Sequence, residues 1–550
     1  MKKSITFLSL LCTLNLSAQI NSVSDETESS IKFKREYCIL DNENATNTRC
    51  AATQDKAQLR ANGSPKILVC LANYADIKFT VGNDNDSLIA LFDTFFNGKG
   101  IGVGQNPHSV YDYFNEMSNG IFTPEFIITE PVTLSKERAY YGNKNGGSRR
   151  VRYRDEALTL LAPQITDRIG DLDTNDDNKI DGVIIVFPGC GANVGDENGM
   201  HPACWTSNIS NSGITYATAL VAPELLGFDN TEDGGENEAV INGIGVFVHE
   251  MSHMLGLPDF YDLNYKGAGM DRWSLMDYGE YWANGYEPTP YTAYEKNFLG
   301  WLSLVELSEP TNITNMKAIG DGGDAYIIYN EGDRNEYYIL ENRTTFDPWS
   351  KSLCSTLGNG MMIYHVTYDA NAWSSNRINT DVNRQRMTII PANGHFEILD
   401  NLMDDVQKYK SEMQGHLWPL SNDEFVLKYW GISGNNSLTD EERTDGERIA
   451  PAARLHNPNT DGTYFMHKPI TNIAFEDESK RSISFTFNGG DASAIEDIIN
   501  DYTHKYTYYS IDGRYVVSGD KNVIQTLPNG LYIIKNLTTG DVQKKYVTRY

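Results

Sequence analysis

The sequence predicts an α+β fold, in which a mixed sheet-and-helix unit is followed by β-sandwich-type units. Three observations predict it. Up to about residue 305, apolar runs of strand length alternate with segments of helical periodicity. Beyond Trp301, short apolar runs are separated by Gly, Asp and Asn, which is all-β texture. From residue 491 onward, Asp512-Gly513 and Asn529-Gly530 are hairpin-type turn signals.

Composition sets the outer limits. The chain has 550 residues, 40% hydrophobic and 11% aromatic, enough apolar side chains for several ordinary cores. Lysine and arginine number 46 against 74 aspartates and glutamates, a formal charge of −28. Such a surface repels a phosphate backbone, so nucleic acid is excluded as an expected partner. No run of eighteen or so apolar residues occurs, so no membrane span is expected.

Taken in order, residues 1–18 read as a secretory signal peptide. Lys2 and Lys3 form a positive start, Ile5 to Leu16 an apolar stretch, and Leu16-Ser17-Ala18 a small-residue cleavage site. Residues 19–62 are polar and aperiodic and read as a pro-segment or linker. Residues 63–305 form the mixed unit. Its strands include Ile67 to Asn73 and the continuous apolar run Val183 to Phe187. Its helices include Ser87 to Phe96, with Leu88, Ile89, Leu91, Phe92 and Phe95 on one face, and a second starting at Val110. Residues 306–490 form the β-rich unit, with strands at Ala325 to Tyr329, Glu336 to Leu340 and Gly360 to Val366. Strict alternation over Ser482 to Phe487 then meets Gly489-Gly490, the boundary before a final unit, 491–550.

Export makes disulfides expected. Of seven cysteines, Cys12 leaves with the signal. Cys38 with Cys50 and Cys190 with Cys204 are the close pairs. Cys70 sits in the run Ile67 to Leu71 and reads as a buried free thiol.

One segment carries chemistry: His249-Glu250-Met251-Ser252-His253-Met254-Leu255-Gly256-Leu257-Pro258-Asp259. Positions four apart on a helix are offset by only about 40°, so His249 and His253 project to one side and can meet a single zinc ion. Glu250 lies on the flank, placed to act on a water without binding metal itself. Gly256 can adopt a left-handed backbone and stop the helix, so that the chain turns and returns Asp259 as a third protein ligand. Three protein ligands leave the fourth position for water, as catalytic zinc requires. Zinc lowers the pKa of that water and polarises a carbonyl, and Glu250 serves as general base.

Downstream, Trp273-Ser274-Leu275-Met276-Asp277-Tyr278 adds a second element. A zinc helix followed by Ser-x-Met-x-Tyr resembles the metzincin-type metallopeptidases. The fuller pattern, H-E-x-x-H-x-x-G-x-P-D and then Trp-Ser-x-Met, is similar to the immune inhibitor A family (family M-six), from about Lys66 to Trp301. The resemblance implies a zincin-like catalytic domain and a zinc metalloendopeptidase acting on protein or peptide substrates. It implies that Met276 floors the site and that Tyr278 hydrogen-bonds the tetrahedral intermediate. Asp259 departs from the third histidine usual in other metzincins.

The loop Asp171 to Gly182 is dense in oxygen donors. Asp173, Asn175, Asp177 and Asp181 fall at positions 1, 3, 5 and 9 of a calcium loop, with the Lys179 carbonyl at position 7 and Asn178 in the usual glycine place. Ile184 occupies position 12, so this is calcium-like and not an EF-hand. His201 reads as a solvent-exposed histidine.

The strands Tyr508 to Val516 and Leu527 to Ile534, with Lys544-Lys545 beyond, resemble the type IX secretion sorting domain of Bacteroidota. That likeness implies the type IX machinery as partner, and secretion or display on the surface of a Bacteroidota-like bacterium. The rival reading is a non-catalytic surface adhesin built on a degenerate protease domain. The intact His249, Glu250, His253 and Asp259 argue against it.

Overall fold

The computed structural model describes residues 59–194, 196, 198–226, 240–264, 267, 269–393, 411–419, 454–464, 466–490, 506–511, 513–519, 523–524, 527–537 and 542–547. The expected signal peptide, nearly all of the expected pro-segment, and the pair Cys38 and Cys50 lie outside the described residues.

The first sheet is built from β1 (Lys66–Asn73), β2 (Glu125–Ile128), β3 (Val132–Thr133), β4 (Gly182–Cys190), β5 (Ala203–Trp205) and β8 (Ala219–Leu225); β6 (Ile209–Asn211) and β7 (Ile214–Tyr216) form a separate hairpin. Its order is β2-β1-β4-β8-β5 with β3 also on β1, all parallel except the edge strand β5. Both faces are covered. Ile67, Val69 and Leu71 of β1 join a core with helices α1 (Asn85–Asn97), α2 (Val110–Met117) and α4 (Ile244–Met254). Leu68, Cys70 and Ala72 point the other way, into a core with α3 (Ser148–Ile165). Burial on both faces is why β1 and β4 read as unbroken apolar runs.

The helices start where side-chain chemistry allows. Asp84 and Ser109 cap α1 and α2 in capping boxes, each accepting a backbone N–H three residues on. A short helix, α5 (Ala293–Phe298), is capped the same way by Thr292 and Glu295.

Beyond it, β9 (Val305–Glu306), β11 (Tyr326–Tyr329), β12 (Glu336–Arg343), β13 (Gly360–Thr367) and β14 (Met387–Ile389) form a five-stranded sheet. A three-stranded sheet of β10 (Thr311–Met316), β15 (Ile470–Phe475) and β16 (Ile483–Phe487) shares an apolar layer with it, through Ile328, Leu340, Ile363, Ile470 and Phe485. The opposite face of the five-stranded sheet, with Ile327, Ile339, Met362 and Tyr364, belongs to the same apolar cluster as α4. One core thus runs unbroken from the first sheet to the second. The last strands, β17 (Tyr506–Ser510), β18 (Tyr515–Gly519), β19 (Gly530–Asn536) and β20 (Val542–Val547), make one antiparallel sheet in the order β18-β17-β19-β20.

The structure corrects one cysteine pairing. Cys190 and Cys204 are not joined in a disulfide. Strand β8 runs between them, with Cys190 opposite Leu225 and Cys204 opposite Leu220. Two strand spacings amount to about 9.5 Å, beyond the ~7 Å that a disulfide can bridge. Cys70 is a fully buried thiol, and burial pushes its pKa up to about 12. Among the described residues no helix is long and apolar enough to cross a membrane.

Candidate metal centre

Helix α4 begins where Asn106 accepts the N–H of Ile244 at 2.9 Å. It packs so closely on the 278–285 segment that a Cβ on Gly245 would lie 2.0 Å from the Glu280 carbonyl oxygen. It ends at Gly256, whose φ of 93° is open to glycine at little cost. The N–H of Leu257 returns to the Ser252 carbonyl at 3.1 Å and that of Gly256 to His253 at 3.0 Å, a Schellman-type stop. The chain then doubles back and carries Asp259 toward the helix.

His249 and His253 lie one turn apart, their rings 4.9 Å between centroids and nearly perpendicular. Each is fixed through Nδ1. His249 Nδ1 donates to the Leu275 carbonyl at 2.9 Å and His253 Nδ1 to the Leu257 carbonyl at 2.8 Å. A carbonyl only accepts, so Nδ1 is the donor and Nε2 is the nitrogen left to face a cation. Both Nε2 atoms lie 3.2 Å from one oxygen, Asp259 Oδ1. Donors about 2.0–2.1 Å from a shared tetrahedral ion stand about 3.3 Å apart, so this spacing suits zinc. All three side chains are buried. His249 Nε2 and Asp259 Oδ1 make no hydrogen bond there, a costly arrangement for buried polar atoms unless a cation joins them. The donor set fits a metal on these grounds.

The second oxygen of Asp259 is occupied. Asn376 Nδ2 donates to Asp259 Oδ2 at 2.5 Å, and Asn376 Oδ1 accepts the Asp259 backbone N–H at 2.7 Å. Asn376 escaped the sequence reading because it lies far along the chain and belongs to no local motif. Glu280 escaped it too. Its Oε2 is 3.9 Å from His249 Nδ1, and burial pushes its carboxyl up to about 8. Burial disfavours a charged His249, yet the Glu280 and Asp259 carboxylates outweigh that and draw the imidazole up to about 9. For Asp259, burial works against ionisation, but the His253 and His249 rings hold its carboxyl well below the usual range.

Glu250 is buried on α4, next to His249 and turned from it by the helical step of about 100°. Met276 is fully buried; its carbonyl accepts the Phe260 N–H at 2.7 Å and its own N–H reaches Ser274 Oγ at 3.0 Å. The turn at Leu275 and Met276 therefore holds His249 on one side and the chain after Asp259 on the other. Tyr278 packs on Tyr261, with the Arg272 guanidinium 5.8 Å from its ring centre.

Away from this centre, the acidic loop is folded on its own backbone. Asp173 accepts the N–H groups of Asp177 at 3.0 Å and Asn178 at 2.7 Å; Asn175 shares the Asp177 N–H, Asp177 accepts the Lys179 N–H, and the Lys179 ammonium pairs with Asp177. Asn178 has φ 64°. Asp181 Oδ2 accepts from Thr174, while its buried Oδ1 has no hydrogen bond. His201 is buried, not solvent-exposed as expected, because its loop folds back beneath the end of β4, with the Met200 carbonyl accepting the Ala192 N–H. A second group of donors joins the buried Glu336 and His365 of the five-stranded sheet to the half-buried His456 beside it. Glu336 already accepts from His365 Nε2 at 2.7 Å, His456 N at 2.5 Å and Asn457 N at 2.9 Å, so its carboxylate is satisfied by hydrogen bonds, while the buried His365 Nδ1 has none.

Comparison with known proteins gives a family likeness for the part of the chain that carries this site. Residues 64–302 match the family described as immune inhibitor A peptidase M6, catalytic domain. Immune inhibitor A of Bacillus thuringiensis subsp. alesti is 27% identical over 294 residues, covering 44% of this chain and 41% of that protein. The pre-pro-metalloprotease PrtV of Vibrio cholerae serotype O1 is 29% identical over 253 residues, covering 39% of this chain and 27% of that protein. The chain thus spans less than half the length of these curated relatives. The likeness supports a hydrolase of the metalloprotease class.

Proposed function

We propose that the chain is a secreted zinc-dependent endopeptidase. The observation that carries this reading is the convergence of His249 Nε2 and His253 Nε2 on Asp259 Oδ1 at 3.2 Å, with two of these buried atoms otherwise without hydrogen bonds. His249, His253 and Asp259 would hold the ion. When bound, zinc supplies Lewis acidity toward water and a peptide carbonyl. Glu250 takes the proton from the attacking water and passes it to the leaving amine, so no covalent enzyme intermediate is needed. Tyr278 stabilises the developing oxyanion, and Met276 with Gly256 sets the floor and the turn of the site.

Protein or peptide chains are the substrates. The N-terminal signal directs export, and the last unit, with its four-stranded sheet, addresses the type IX secretion machinery of a Bacteroidota-like bacterium. The loop at Asp173, Asn175, Asp177, Lys179 and Asp181 offers a calcium a buried, unsatisfied Asp181 oxygen. Zinc analysis of the purified chain and casein cleavage with and without a chelator test the central reading. About one zinc per chain and chelator-sensitive cleavage support it; a metal-free chain that leaves casein intact overturns it.

A further inference from the structure

The third donor of the metal centre is set by a residue far outside the stretch that matches the peptidase family. Asp259 presents Oδ1 to both imidazoles, and the carboxylate can do so only if its rotation is fixed. Asn376 fixes it from two directions: its amide nitrogen donates to Oδ2 and its amide oxygen accepts the backbone N–H of the same aspartate. An amide is the one common side-chain group that offers a donor and an acceptor side by side. Acting together, the two bonds leave only Oδ1 facing His249 and His253.

Asn376 is itself held. It is 5% exposed and follows α6 (Ala370–Ser374) with φ 54°, its N–H bonded to the Trp373 carbonyl at 3.2 Å. Trp373 is fully buried, and its indole donates to the Tyr294 hydroxyl of α5 at 2.7 Å. The same segment grips the chain around the site twice more. Asn379 Nδ2 donates to the Phe260 carbonyl at 2.6 Å, and Gln385 Oε1 accepts the Gly269 N–H at 2.8 Å.

We infer that Asn376 is a positioning residue for Asp259, so that the β-rich segment after residue 302 completes the metal centre rather than trailing behind it. This rests on the zinc reading above. The family-matching stretch alone lacks the group that orients its own third donor.

The test measures zinc affinity of the full chain by competition with a chromophoric chelator, and records the visible spectrum of the cobalt-substituted form. Asn376→Ala removes both bonds; Asn376→Asp keeps shape and acceptor but puts an anion against Asp259 Oδ2. Each should weaken zinc binding by roughly 10- to 100-fold and alter the cobalt spectrum. Asn264→Ala, which removes a bond to the Thr380 carbonyl between the same two segments without touching a donor, should change neither. In an Asp259→Ala background, Asn376→Ala should add nothing further. Wild-type zinc affinity and spectrum in a folded Asn376 variant, or losses that add independently of Asp259, overturn the inference while leaving the zinc reading intact. A wild-type chain whose zinc content is absent, or indifferent to His249→Ala, overturns the zinc reading and this inference with it.

Discussion

Ser274 donates its hydroxyl to Glu295 Oε1 at 2.7 Å, and through that bond α5 holds the turn beneath the two histidines. The same carboxylate accepts the N–H groups of Thr292 at 2.5 Å and Met276 at 3.3 Å. One buried side chain therefore caps a helix and fastens Met276. Glu295→Ala leaves the Ser274 hydroxyl and the Thr292 N–H without this acceptor, while Met276 N–H keeps Ser274 Oγ, and should destabilise the protein by about 2–4 kcal/mol. Urea unfolding checks this; a midpoint equal to wild type counts against it.

Glu250→Ala should separate chemistry from metal binding. The variant keeps both imidazoles and Asp259, so its zinc content should stay near that of wild type. Its turnover of casein should fall by roughly a hundred- to ten-thousand-fold. Metal analysis alongside the peptidase assay decides the matter, and full activity would remove Glu250 from the mechanism.

Acid should unfold the protein partly through His201. Burial first, and then the Arg150 cation, lower its pKa to about 3. An unfolded histidine titrates near 6.5. Below about 6.5 the unfolded state binds the extra proton, so the contribution of neutral His201 is complete above that pH and is lost as pH falls toward 3. The slope is about 1.4 kcal/mol per pH unit. His201→Gln should flatten stability against pH between 6.5 and 4, measured by denaturant titration; an unchanged slope would exclude His201 as the cause.

Gly245→Ala should force α4 away from its neighbour. The new methyl would meet the Glu280 backbone oxygen at 2.0 Å, and a backbone atom cannot swing aside as a side chain can. A destabilisation of about 2–4 kcal/mol is expected, together with weaker zinc binding. Thermal melts of the apo and zinc-loaded forms would show both effects.

The convergence of His249, His253 and Asp259 was legible because helix period and a glycine stop are local properties written within eleven residues. β1 and β4 were legible for a similar reason, since burial on both faces demands an unbroken apolar run. Asn376 and Glu295 were not legible. Their roles come from tertiary contacts, and an isolated Asn or Glu in a sequence looks like any solvated polar residue. Cys190 and Cys204 show the opposite error. Their nearness in sequence suggested a bridge, while the sheet places β8 between them. His201 looked solvated because its surroundings are rich in glycine and asparagine, and its burial depends on how that loop packs.

Leu59 and Ala61 are each about 1% exposed. The Leu59 N–H reaches the Met254 carbonyl at the end of α4 at 3.3 Å, and the Trp301 indole donates to the Ala61 carbonyl at 2.7 Å. Residues 59–61 are therefore part of the packed structure around α4. A cut at residue 62 would pull an apolar plug from beneath the helix bearing both histidines and strip Trp301 of its acceptor, so a chain shortened to that point should lose stability at the site itself.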